Sequence, residues 1–102
     1  MKIEYNIPNY TKAEAYIIID DFLNNLVSEH SDLVSNPSKT WNASKDKMDF
    51  GFKVMVFNTS GNIQLLEEKI VLDGKVPFLA TSLSGTIEKT IRANLEKAFP
   101  KK

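Results

Sequence analysis

The chain contains one histidine, His30, and no cysteine, so its capacity for metal or thiol chemistry is narrow from the outset. A triad or an imidazole-based metal site needs convergent partners for its histidine. The only imidazole instead falls where a helical pattern fades, a position that suits a solvated helix terminus. Two adjacent carboxylate pairs, Asp20-Asp21 and Glu67-Glu68, could in principle do acid–base work. Neighbours on a helix do not face each other, and Glu67-Glu68 falls at a turn, so both pairs are expected to be solvated surface. The four glycines are scattered, with no phosphate-cradling loop and no nucleophile elbow. The expectation is a protein that is not an enzyme, with no catalytic residues, no cofactor and no metal site.

The residues that remain are apolar ones in places a one-sided sheet would make polar. Met48, Phe50, Phe52, Val54 and Val56 alternate onto one face of a strand running from Met48 to Phe57. Met55 and Phe57 then fall on the other face. Leu66 and Val71 join them, among Lys53, Gln64 and Lys69, with Trp41 nearby on a short strand around Thr40-Trp41. A sheet with one solvated face shows a cleaner polar alternation. Trp41, Lys53, Met55, Phe57, Gln64, Leu66, Lys69 and Val71 are therefore the candidate partner or ligand surface, either for self-association or for an apolar partner.

The elements that must position this surface follow from periodicity. Lys2 to Ile7 alternates with Ile3, Tyr5 and Ile7 on one side, which is a strand closed by Pro8-Asn9. Thr11 opens a helix with Glu14 at capping-box spacing. Ala15, Ile18, Ile19, Phe22, Leu23, Leu26 and Val27 make its apolar stripe. Ser31 to Ser38 reads as a polar connection with a turn at Asn36-Pro37, and Ser44 to Lys47 as a turn. Asn58 to Gly61 is the expected hairpin loop after the long strand. Ile63 and Leu65 sit on one parity while Leu66, Ile70 and Leu72 sit on the other, which requires a turn or bulge at Glu67-Glu68. Pro77 suits the first turn of a second helix. Leu79, Leu83, Ile87, Ile91, Leu95 and Phe99 carry that helix at four-residue steps, and Pro100 stops it. The order is β-α-β-β-β-β-α, a single α+β domain over residues 1–102 with both helices on one face of an antiparallel sheet.

Composition limits the partners. The 102 residues carry 13 Lys+Arg against 13 Asp+Glu, and Arg92 is the only arginine. The first helix carries Glu14, Asp20, Asp21 and Glu29 against Lys12. A nucleic-acid surface needs the opposite balance, so ribosome or RNA binding is the runner-up and nucleic acid is not an expected partner. A small enzyme with a pocket between helices and sheet is a third reading. The opening MKIEYNIPN has no apolar signal core, and the longest apolar run, Ala15 to Ile19, is far short of a membrane span. The expected location is the cytoplasm.

These pieces, in their order and spacing, resemble a known family. They are the opening strand, Pro8 with Glu14-Ala15, Trp41 before a strand with Phe50, and Gly61-Asn62-Ile63-Gln64-Leu65 with Ile70-Val71-Leu72. They continue through Val76-Pro77-Phe78-Leu79, Ile87-Glu88 and Ile91 with Leu95-Glu96 and Phe99. Together they are similar to the polyhydroxyalkanoic acid system proteins, small bacterial proteins named for genes near polyhydroxyalkanoate granule clusters. The resemblance implies association with a granule or lipid-like polymer and no established catalytic residues. The expected partners are a second copy, a hydrophobic polymer or an acyl ligand.

Overall fold

The computed structural model describes residues 1–75 and 84–102. Its elements are β1 (Lys2–Asn6), α1 (Lys12–Glu29), β2 (Val34–Trp41), β3 (Lys47–Val54), β4 (Phe57–Leu66), β5 (Lys69–Lys75) and α2 (Ser84–Ala98). The five strands form one antiparallel sheet in the order β1-β5-β4-β3-β2. The β-α-β-β-β-β-α α+β domain of the sequence is the observed fold. Pro77, Leu79 and Leu83 of the expected second helix lie outside the described residues.

The first strand docks on the last, so α1 must carry the chain from one sheet edge to the other. The helix is long enough to do so. Its 18 residues at ~1.5 Å each reach ~27 Å, while five strands ~4.8 Å apart span ~19 Å. The helix starts at Thr11, whose hydroxyl accepts from the Glu14 N–H at 3.1 Å while the Glu14 carboxylate accepts from the Thr11 N–H at 3.0 Å. The capping box read from spacing is therefore closed in both directions.

One core lies between the sheet and the helices. Ile3, Met48, Phe50, Phe52, Ile63, Leu65, Ile70 and Leu72 of the strands meet Ala15, Ile19, Phe22, Leu23 and Leu26 of α1 and Ile87, Ile91, Leu95 and Phe99 beyond. Alternation accounts for the strand contribution: Met48, Phe50, Phe52 and Val54 are the inward residues of β3. The expected helix-facing set is in place except for Val56.

Three local readings change. The β3–β4 turn is the pair Met55-Val56, because Val54 is opposite Phe57 in the ladder. Asn58 to Gly61 is strand, not a hairpin loop. The segment read as a polar connection from Ser31 to Ser38 is mostly β2, which pairs with β3 on both sides of a register shift between Ser35 and Ser38. Asn36 takes φ 53° there, so the turn signal Asn36-Pro37 marks a bulge inside a strand. Of the turn or bulge expected at Glu67-Glu68, the structure has the tight turn, with Leu66 opposite Lys69.

Candidate functional site

The sheet face away from the helices carries Lys2, Glu4 and Asn6 of β1, then Lys69, Val71, Asp73 and Lys75 of β5. It continues with Asn58, Ser60, Asn62, Gln64 and Leu66 of β4, and Lys47, Asp49, Gly51 and Lys53 of β3. Apart from Val71 and Leu66 these are polar or charged residues or glycine. The apolar contact face expected from the sequence is thus corrected: the strands present a mixed-charge, solvated surface, as a one-sided antiparallel sheet does. Of the eight candidate residues, Lys53, Gln64, Leu66, Lys69 and Val71 lie on this face. Val71 is buried in its middle, and Leu66 stands at the Glu67-Glu68 end.

Trp41 and Phe57 belong to the opposite face. Trp41 is the cross-strand partner of Met48, which is fully buried under the helices. Its indole N–H donates to the Asp20 carboxylate of α1 at 2.9 Å, and its ring meets Tyr16 edge-on at 4.7 Å. The Lys39 ammonium pairs with the same carboxylate at 3.1 Å and donates to the Asp20 carbonyl. Asp20 is therefore no idle surface carboxylate. It ties α1 to β2, and the Trp41 indole, with Lys39 second, holds its carboxyl below the usual range. Phe57 pairs with Val54 and is half-buried on Val54's side. The displaced turn is the reason: two residues taken out of the strand switch the parity of all that follow.

Met55 is the candidate the structure leaves most open. It is 57% exposed and its neighbour Val56 is 81% exposed. Met55 adopts φ 58°, a left-handed conformation that favours Gly or Asn at such a turn and is uncommon for a long apolar side chain. Its N–H donates to the Leu33 carbonyl at 2.7 Å. That bond fastens the turn to the segment between α1 and β2 and sets the half-exposed Leu33 beside it. Leu33, Met55 and Val56 thus form an apolar tip at one end of the molecule. Leu33 and Val56 were not among the candidates. The signal that finds Val56 is the parity switch from even apolar positions through Val54 to odd ones from Phe57; nothing in the local composition marks Leu33.

Behind this tip a cavity of about 40 Å³ is lined by Leu26, His30, Leu33, Val34, Phe52, Val54, Thr86, Ile87, Thr90 and Ile91. A second, of about 10 Å³, lies deeper between α1 and the sheet. Small-molecule sites usually have ~300–1,000 Å³. His30 caps the end of α1 and lies half-buried at the first cavity, with its Nε2 3.2 Å from the Asn94 amide. The Asn94 amide also donates to the Thr90 carbonyl at 2.8 Å. The imidazole is thus tied to α2 and not free in solvent. Among the described residues no helix is long and apolar enough to cross a membrane.

Comparison with family models matches residues 9–99 to the family described as "putative polyhydroxyalkanoic acid system protein". The chain belongs to that family. The comparisons with curated proteins and with solved structures give no match. The family match spans α1, every strand from β2 to β5 and α2, so the apolar tip lies on the part of the chain that the family defines.

Proposed function

We propose that this family member is a non-catalytic module that settles on an apolar polyester surface through the Leu33–Met55–Val56 tip. The observation that carries this reading is the turn itself. Two adjacent apolar side chains stand exposed where the backbone, at φ 58° on Met55, would be better served by Gly or Asn. Backbone strain and exposed apolar area at one spot mark sites kept for contact. The family name supplies the chemistry of the partner, a polyhydroxyalkanoate. The small size of the cavities beneath the helices favours contact at the surface over uptake of an acyl chain between helices and sheet.

The test is adsorption to polyhydroxyalkanoate particles, comparing the native chain with the double variant Met55→Asn, Val56→Lys. Asn tolerates the left-handed backbone and Val56 is solvated, so the fold is kept. The native chain sediments with the particles and the variant stays in solution. Equal sedimentation of both removes the tip as the contact.

A further inference from the structure

The two edges of the sheet are built differently. β2 is blunted: Pro37 removes a backbone donor, and a bulge with Asn36 at φ 53° interrupts the ladder. β1 has neither device, and its register with β5 runs unbroken from Lys2↔Asp73 to Asn6↔Lys69. Backbone bonds fix which groups of β1 are spoken for. Met1 and Gly74 exchange both of their bonds, at 3.0 and 2.8 Å, and the Ile7 N–H donates to the Glu68 carbonyl at 2.9 Å. In an antiparallel ladder such doubly bonded pairs recur at every second residue. Odd-numbered residues therefore face β5, and Lys2, Glu4 and Asn6 direct their N–H and C=O groups to the outer side, where no strand stands among the described residues. All three are exposed.

We propose that β1 is a self-association edge, pairing antiparallel with β1 of a second copy about a two-fold axis at Ile3. Two features select this register. Pairing must match even residues with even ones, because these carry the free backbone groups and because faces must agree. Centring on Ile3 then sets Lys2 opposite Glu4 of the second copy, twice by symmetry, on the bare face. On the helix face it sets Ile3 against Ile3 and Met1 against Tyr5, both of which already pack partly on the core. Charge meets opposite charge on one side and apolar meets apolar on the other. Centring on Glu4 would oppose two carboxylates directly, which disfavours it. Lys69, 3.5 Å from Glu4 within the same chain, adds a second cation beside that carboxylate. Two five-stranded sheets become one of ten with both helix layers on the same side. The pairing does not rest on the polymer-surface reading, since the edge and the apolar tip share no residue.

The test is light scattering of the full chain over a wide concentration range, without polymer. The variants are Glu4→Lys, Glu4→Gln and the charge swap Lys2→Glu with Glu4→Lys, each checked for a native circular dichroism spectrum. The native chain is a dimer, and the charge swap recovers only part of the affinity that Glu4→Lys alone loses, because Lys69 then faces a lysine. Glu4→Lys weakens the dimer about tenfold or more, and Glu4→Gln weakens it less. A native chain that stays monomeric, or a dimer indifferent to Glu4→Lys, overturns the proposal. A Glu4→Gln variant that binds more tightly overturns the Ile3-centred register.

Discussion

At the scale of single residues, the two depressed carboxylates show how this fold uses its few partnered charges. Glu14 closes the α1 capping box and accepts from Lys102 at 2.5 Å, and those bonds lower its carboxyl from 4.5 to about 2. Lys102 also donates to the Asn9 carbonyl at 3.1 Å and lies 4.3 Å over the Tyr10 ring. Tyr10 itself meets Phe99 edge-on at 5.1 Å and donates to the Pro100 carbonyl at 2.5 Å. The C-terminal residues are thereby held against the entry to α1. A carboxylate whose folded value is depressed stabilises the fold above its unfolded value and loses that contribution as pH falls through the folded value. For Glu14 that window runs from about 4.5 down to about 2. We predict that Lys102→Ala raises the Glu14 carboxyl toward 4.5, as carboxyl-carbon NMR against pH would show; a titration unmoved by the change would mean that the Thr11 bonds alone hold it. Asp20 obeys the same sign. Trp41→Phe removes the indole donor and raises the Asp20 carboxyl toward its ordinary value. The stability difference between native chain and variant is then largest at neutral pH and shrinks in acid.

The elements follow from patterns of differing legibility. Strand parity and the Thr11–Glu14 box place β1, α1 and β3 from sequence alone, because period and capping are local physics. The Glu67-Glu68 turn is legible for the same reason. The Met55-Val56 turn is not, since neither residue has turn chemistry and Met55 holds φ 58° only because the ladder on both sides and the Leu33 carbonyl demand it. β2 hides likewise behind Asn36-Pro37, a turn signal that the edge of a sheet absorbs as a bulge. The pairing of β1 with β5 depends on contacts more than sixty residues apart, which no local pattern encodes. These differences move the candidate site: Trp41 and Phe57 cross to the helix face, while Met55 keeps its exposure and gains Val56 and Leu33 as neighbours. Two substitutions probe the element-level account. Thr11→Ala opens the capping box and costs about 1 kcal/mol in denaturant unfolding. Gly61→Ala is far worse, because a Cβ there would sit 2.2 Å from the Asp73 carbonyl oxygen and 2.7 Å from the Gly74 Cα. We expect a loss of about 3 kcal/mol or failure to fold, against a change within about 1 kcal/mol for Gly85→Ala, whose Cβ meets nothing within 4 Å. Comparable melting temperatures for the two glycine variants would contradict the tight β4–β5 approach.

At the scale of the whole molecule, the two helices cover one side of the sheet and the other is mostly polar, so among the described residues neither broad face offers an apolar docking area. What remains is an end and an edge: the Leu33–Met55–Val56 tip and the open side of β1. The partner proposed for the tip takes its chemistry from the description of the polyhydroxyalkanoic acid system family, and the proposed doubled sheet would carry two tips on one assembly. We propose that the tip is the contact with the polymer. Co-sedimentation with polyhydroxyalkanoate particles tests it most directly. The native chain should partition to the particles and the Met55→Asn, Val56→Lys variant, with a melting temperature no lower than the native one, should not. Equal partition of a folded variant would contradict the account.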